Sequence, residues 1–151
     1  MDRIKIREMS SSDFDEVLEI EGLCHATPWT SNSFEYEIRN KGAVLRVAVL
    51  GGQVVGYICV RTILDLTHIL NLSVLPEFRR LGIGSMLLNS VLITLRELNS
   101  DCDLTLEVRE SNIAAIKLYE KFGFVISGRR RDYFKKPEED ASIMKLDIRS
   151  V

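Results

Sequence analysis

Leu72-Ser73-Val74-Leu75-Pro76-Glu77-Phe78-Arg79-Arg80-Leu81-Gly82-Ile83-Gly84-Ser85 sets the course of the whole chain. It opens on strand-type residues, passes through a basic turn with two glycines, and ends in the start of a long apolar helix. Glycine lets a backbone approach a ligand closely, and the first N–H groups of a helix have no partner within it. With the positive end of the helix dipole and Arg79 and Arg80 alongside, this makes a site for a pyrophosphate. The dinucleotide fingerprint G-x-G-x-x-G does not fit, because Leu87 stands where its third glycine belongs. The P-loop does not fit either, since no Gly-Lys-Ser/Thr follows a first glycine at the required spacing. The plain alternative is an ordinary strand-to-helix turn with surface arginines.

Upstream, alternation predicts a strand over residues 3–8. Ser10-Ser11-Ser12-Asp13 then caps a helix with Phe14, Val17, Leu18 and Glu21 at helical spacing. Thr30 caps a second helix, with Phe34 and Ile38 on one face and Gly42 as its stop. Strands follow over 43–50 and 53–62, joined by Gly51-Gly52, and over 67–74. Downstream lie a helix over about 83–98, apolar around much of its circumference, and a strand over 103–109. A helix over about 112–122 stopped by Gly123, a strand over 124–129 and a last strand near 141–148 complete the chain. No repeat, low-complexity tract or linker divides it, so residues 1–151 read as one domain. The fold class expected is α/β, in the α+β sense: a mixed sheet with helices on both faces and parallel pairing at the strand-helix-strand crossover.

With 151 residues the chain can bury a working core without disulfides or metal. A hydrophobic fraction of 46% with 28% charged residues is that of a soluble globular protein. A formal charge of −2 argues against holding nucleic acid by bulk electrostatics. The amino-terminal residues alternate charged and apolar and lack a signal-peptide core, and no apolar run spans a bilayer, so a cytoplasmic location without membrane association is expected. Cys24, Cys59 and Cys102 are odd in number and widely spaced, which points to reduced thiols rather than a disulfide framework or metal site. Cys24-His25 are sequence neighbours, and neighbours rarely form a nucleophile and its base.

Two motifs resemble one family. Arg79-x-x-Gly82-x-Gly84 is similar to the R/Q-x-x-G-x-G/A loop of the GCN5-related N-acetyltransferases. The stretch from Leu104 through Glu107-Val108-Arg109, Ser111-Asn112, Ala114-Ala115 and Leu118-Tyr119 to Gly123-Phe124 resembles their LEVR-x-SN-xAA-x-x-LY-x-x-x-GF segment. That form is typical of the subgroup acting on protein amino termini, ribosomal protein S18 among them. The resemblance covers nearly the whole chain. It implies a largely antiparallel sheet, acetyl-CoA as co-substrate, no metal, and a protein amino terminus as acceptor. A lysine side chain or small amine as acceptor, or a non-catalytic acyl-CoA-binding module, are the other readings.

Acetyl transfer from a thioester to an amine needs a neutral amine, a stabilised oxyanion and a proton for the departing thiolate. An α-amino group, with a pKa of about 8 against about 10.4 for lysine, deprotonates the more easily. The resemblance implies Glu107 as the proton acceptor and Tyr119 as the acid; otherwise they are a strand-end glutamate and a core tyrosine. It also implies that Leu72, Ser73 and Val74 present main-chain groups to the acetyl-pantetheine end, and that Asn112, a helix N-cap on any reading, touches the pantetheine arm. Arg79, Arg80, Leu81, Gly82, Ile83, Gly84 and Ser85 would surround the diphosphate. Many members of the family carry a glutamate on the strand before this loop, and Thr67-His68-Ile69-Leu70-Asn71-Leu72 has none. His68 is therefore a rival base, placed by alternation with Leu70, Leu72 and Val74. His25-Ala26-Thr27-Pro28-Trp29 resembles the segment lining the subgroup's peptide entrance, and Tyr133 a substrate-side tyrosine. Trp29 as a hydrophobic plug is the alternative. The arginine run 129–131 reads as a solvated hairpin, or as a patch for a cofactor phosphate or an acidic substrate tail. Residues 135–140 read as a mobile charged loop.

Overall fold

Alternating β-branched and apolar residues produce seven strands: β1 (Lys5–Glu8), β2 (Ala43–Leu50), β3 (Gln53–Ile63), β4 (Leu66–Val74), β5 (Asp103–Arg109), β6 (Val125–Lys135) and β7 (Glu138–Asp147). The computed structural model describes residues 3–25, 27–64, 66–98 and 103–150. The expectation for Cys102 lies outside them. The strands form one sheet in the order β1-β2-β3-β4-β5-β7-β6. Every neighbouring pair is antiparallel except β4 and β5, so the connection between those two must cross over. It does so through α3 (Ile83–Glu97). The remaining helices are α1 (Phe14–Cys24), α2 (Ser31–Arg39) and α4 (Ile113–Lys121). No helix of the described residues is long and apolar enough to cross a membrane.

The sheet is covered on both faces. A Cβ placed on Gly56 would lie 3.4 Å from Ile83 of α3, so even-numbered positions in the middle of β3 face that helix. Its neighbour Tyr57 faces the other way, where its ring meets Phe34 of α2 at 5.7 Å and its hydroxyl donates to Glu21 of α1. On α3, Ile83, Leu87, Leu88, Val91, Leu92 and Leu95 are all buried, each side chain worth about 2 kcal/mol of transfer free energy. Capping follows the sequence: Thr30 Oγ1 accepts from Ser33 N–H at 3.4 Å, and Asn112 Oδ1 from Ala115 N–H at 3.2 Å. Asp13 accepts two 2.8 Å bonds from the Arg7 guanidinium, which hold its carboxyl below the usual carboxylate range.

Two irregularities shape the site. Opposite β3, the register of β4 jumps from Asn71↔Cys59 to Ile69↔Val60, leaving Leu70 as an extra residue. Such a bulge bends its strand and inverts the alternation beyond it. His68 pairs with Arg61, Asn71 with Cys59 and Ser73 with Tyr57, so these three share the α1/α2 face. Leu72 and Val74 point to the α3 face. Simple alternation, which grouped His68 with Leu72 and Val74, is corrected by this one residue. Past the bulge β4 also leaves β5: only Thr67↔Leu104 and His68↔Thr105 pair, and the strands then separate.

The second irregularity lies at the carboxy-terminal hairpin. β6 and β7 run to Lys135 and from Glu138, well beyond the expected 124–129 and 141–148. Residues 135–140 are strand ends around a short turn, not a charged loop. Two of their charges are engaged: Glu139 accepts from Ser111 N–H at 2.6 Å and Ser111 Oγ at 2.9 Å, and Asp140 from Asp132 N–H at 2.8 Å. Arg109 donates to the carbonyls of Pro137 at 2.9 Å and Lys136 at 3.2 Å. The hairpin is thereby fastened to the turn before α4.

Candidate active site

The turn between β4 and α3 leaves its main-chain donors without partners. Arg80 and Gly82 adopt φ of 66° and 80°, and Gly82 caps α3 with no side-chain hydrogen bond. Among the described residues no acceptor is bonded to the N–H groups of residues 80–85. Six successive donors thus remain open at the positive end of a fifteen-residue helix. Space is available too: a Cβ on Gly82 would meet nothing within 4 Å. Gly84 has a different task, since its Cβ would lie 3.3 Å from Leu118 of α4 and hold the two helices apart. Arg80 is exposed beside the turn. The Arg79 guanidinium instead folds back, its Nε donating to Val74 O at 3.2 Å.

From this turn an open strand edge leads back along β4. Leu75 N–H donates to Val55 O at 2.8 Å, which fixes the phase of the β3–β4 ladder. Ser73 therefore exchanges main-chain bonds with Tyr57, and the main-chain groups of Leu72 and Val74 point toward the gap left by β5. Of the three residues expected to present main chain there, Leu72 and Val74 turn theirs that way, with Val74 O already accepting from Arg79 Nε at 3.2 Å and Cys24 Sγ at 3.7 Å. Ser73 differs: it is buried, its main chain serves β3, and its hydroxyl contacts His25 Nε2 at 2.8 Å.

Where β4 and β5 part, the two rival bases meet. His68 Nε2 lies 2.6 Å from Glu107 Oε2. The Glu107 side chain is only 7% exposed and that of His68 35%, so the carboxylate is largely withdrawn from solvent beside a partly exposed imidazole. Arg130 Nε stands 3.8 Å from the other oxygen, Oε1, and its guanidinium lies 5.7 Å from the centre of the Tyr133 ring. Burial, and then the Glu107 charge, push the Tyr133 phenol up, against a smaller opposing effect of Arg130. The arginine run thus meets the chain's own acids: Arg129 also pairs with Glu110 at 2.9 Å and Asp140 at 2.5 Å.

Tyr119 sits on α4, one residue beyond the Leu118 that touches Gly84. It is 7% exposed, and its ring meets Phe124 edge-on at 5.4 Å. Burial pushes its phenol well above the ordinary tyrosine value, so it stays protonated, and no described residue hydrogen-bonds to it. A protonated, unpartnered hydroxyl is suited to donating to a ligand. At the head of the same helix, Asn112 uses Oδ1 for capping and leaves its amide nitrogen available.

Comparison with known proteins fits this arrangement. The family model described as Acetyltransferase (GNAT) family matches residues 14–124. The chain belongs to the GNAT acetyltransferase family. A provisionally named [ribosomal protein bS18]-alanine N-acetyltransferase of Bacillus subtilis is 36% identical over 144 residues, 95% of each chain. The [ribosomal protein bS18]-alanine N-acetyltransferase of Salmonella typhimurium is 34% identical, covering 93% of this chain and 95% of its own length. Among solved structures, the ribosomal-protein-S18-alanine N-acetyltransferase of Escherichia coli superposes with a TM-score of 0.87 at 31% identity, over 97% of this chain and 94% of that one. Acetyl-CoA is the co-substrate of this family, and the unbonded amides at 80–85 with the main-chain groups of Leu72 and the N–H of Val74 fit its diphosphate and its amide-bearing arm.

In this GNAT chain the side of the sheet opposite α3 holds a residue that the sequence did not single out. Glu21 reads as one more position of an amphipathic helix, yet it is 1% exposed and bonds Trp29, Tyr57 and Asn71. A charged residue inside an apolar helical stripe was the available signal. Cys24 and His25 turn to different partners: Cys24 Sγ donates to Val74 O at 3.7 Å, and His25 contacts Ser73. Cys59 is buried in the core, which pushes its thiol up and keeps it unreactive.

Proposed function

We propose that the protein transfers the acetyl group of acetyl-CoA directly to the N-terminal α-amino group of a protein, with ribosomal protein bS18 as its acceptor in the cytoplasm. The supporting observation is the parting of β4 from β5: it leaves an open main-chain edge running from Glu107 and His68 to the six unbonded amides. The relatives named for bS18 alanine share 32–36% of their residues with this chain over nearly its full length, which supports the acceptor. The whole of residues 1–151 is taken as one catalytic domain.

Bound there, the co-substrate supplies an acetyl group activated as a thioester. The main-chain amides of residues 80–85 hold its phosphates, with Arg80 nearby, while Leu72 and Val74 orient its arm in the manner of an added strand. Glu107 takes the acceptor's ammonium proton through Oε1, directly or through a water, because Oε2 is engaged by His68. The two candidate bases then have distinct tasks: the carboxylate accepts, and the imidazole orients it. As the amine nitrogen bonds to the acetyl carbonyl carbon and the C–S bond breaks, Tyr119 gives its hydroxyl proton to the departing sulfur, and the second proton released by the acylated nitrogen restores the phenol through water. Trp29 and Tyr133 flank the acceptor, and Asn112 donates from its amide to the arm.

The proposal is tested with acetyl-CoA and three acceptors: a peptide copying the bS18 amino terminus with a free α-amine, the same peptide N-blocked but carrying a lysine, and spermidine. The expected product is the free peptide with one acetyl group on its α-nitrogen, located by fragmentation mass spectrometry. Acetylation of the lysine or of spermidine alone would replace the acceptor class. Binding of acetyl-CoA with no transfer to any of the three would support a non-catalytic module.

A further inference from the structure

We infer that Glu21 is a positioning residue for the acceptor: it anchors the main chain at Trp29 to β4 and so sets where the acceptor's first residues meet the sheet. This rests on the reading of Trp29 as an acceptor-side residue.

Glu21 occupies the last turn of α1 and is 1% exposed. Its Oε2 accepts from Trp29 N–H at 2.7 Å. Its Oε1 accepts from the Tyr57 hydroxyl on β3 and from Asn71 Nδ2 on β4 at 3.2 Å, with His25 Nε2 at 3.4 Å. Among the described residues no lysine or arginine pairs with it. A carboxylate withdrawn from water is costly unless its lone pairs are filled, and an apolar side chain would fill the same space with no such cost. Here both oxygens accept hydrogen bonds, and the donors come from the Trp29 segment, β3 and β4. The bond reaches the main chain of Trp29, so it fixes the path of the segment and, with it, where the ring stands against Phe34 at 5.1 Å.

The β4 partner matters as much as the loop partner. Asn71 shares its sheet face with His68, which bonds Glu107. Glu21 thus ties the Trp29 segment to the strand that carries the partner of the proposed base. The neighbouring His25 and Ser73 do not form a serine–histidine–carboxylate relay with it. Both contacts fall on the same ring nitrogen, Nε2, and such a relay uses two.

The test uses Glu21→Ala, Glu21→Gln, Trp29→Ala and the double variant Glu21→Ala/Trp29→Ala. Initial rates are measured with the bS18 amino-terminal peptide, and acetyl-CoA dissociation constants by calorimetry. Glu21→Ala is expected to raise the peptide KM by about ten-fold, as for loss of a hydrogen bond to a charged acceptor, with acetyl-CoA affinity within about two-fold of wild type. Glu21→Gln, which keeps one acceptor oxygen for Trp29 N–H, is expected to raise KM by about three-fold and serves alone if the alanine variant fails to fold. In the Trp29→Ala background, Glu21→Ala is expected to add less than about two-fold. An unchanged KM in Glu21→Gln and in a folded Glu21→Ala, or full multiplication of the two effects, overturns the inference. An unchanged KM in Trp29→Ala instead overturns the acceptor-side reading of that residue.

Discussion

Glu107→Gln is expected to lower kcat for the bS18 peptide by about 100-fold or more at neutral pH, the range seen when a general base is lost. The acetyl-CoA dissociation constant should stay close to wild type. The substitution keeps shape, and the amide oxygen still accepts from His68, whose ring lies 2.6 Å from the carboxylate. What disappears is the ability of Oε1 to hold a proton. The cofactor affinity is insulated because the amides of residues 80–85 and the edge at Leu72 and Val74 belong to other elements. Steady-state rates and calorimetry check both halves. Unchanged turnover would take the base role from Glu107 and pass it to its 35% exposed partner, His68.

Tyr119→Phe should slow single-turnover transfer by about ten- to a hundred-fold, a smaller effect because a thiol of pKa about 8.5 is already a fair leaving group. Loss of the hydroxyl removes no hydrogen bond to a described residue, and the ring contact with Phe124 is kept, so stability should change little. The pH behaviour has a definite sign. Burial raises the phenol above its ordinary value, so its protonated form persists throughout the neutral and mildly alkaline range. Any alkaline fall in the wild-type rate below about pH 10 must then come from another group, and Tyr119→Phe should leave it in place. Quenched-flow measurement at several pH values checks this. An unaffected single-turnover rate would show that the phenol is not the acid.

Local pattern was enough wherever local chemistry decides. The turn at residues 79–85, the caps at Thr30 and Asn112, and the strand over Ala43–Leu50 all follow from residues within a few positions of one another. The features that escaped depend on distant partners. Leu70 fits an alternating strand, and only the pairing with β3 reveals it as the extra residue that turns His68 to the face of Asn71 and Ser73. The direction of the Ser73 main chain is likewise set by Tyr57, sixteen positions away in sequence. His68 and Glu107 looked like competitors because 67–72 offers no glutamate and nothing local in the sequence joins their two strands. The parallel pair that brings them together closes over the whole length of α3. Residues 135–140 read as a mobile charged loop because the partners of Glu139, Arg109 and Ser111, lie some thirty residues earlier.

The most direct measurement is a two-dimensional amide NMR titration with coenzyme A. The account predicts that the backbone N–H signals of residues 80–85, together with Leu72 and Val74, move most, while Ser73, already bonded to β3, moves little. Saturating shifts elsewhere with those eight amides unmoved would contradict it.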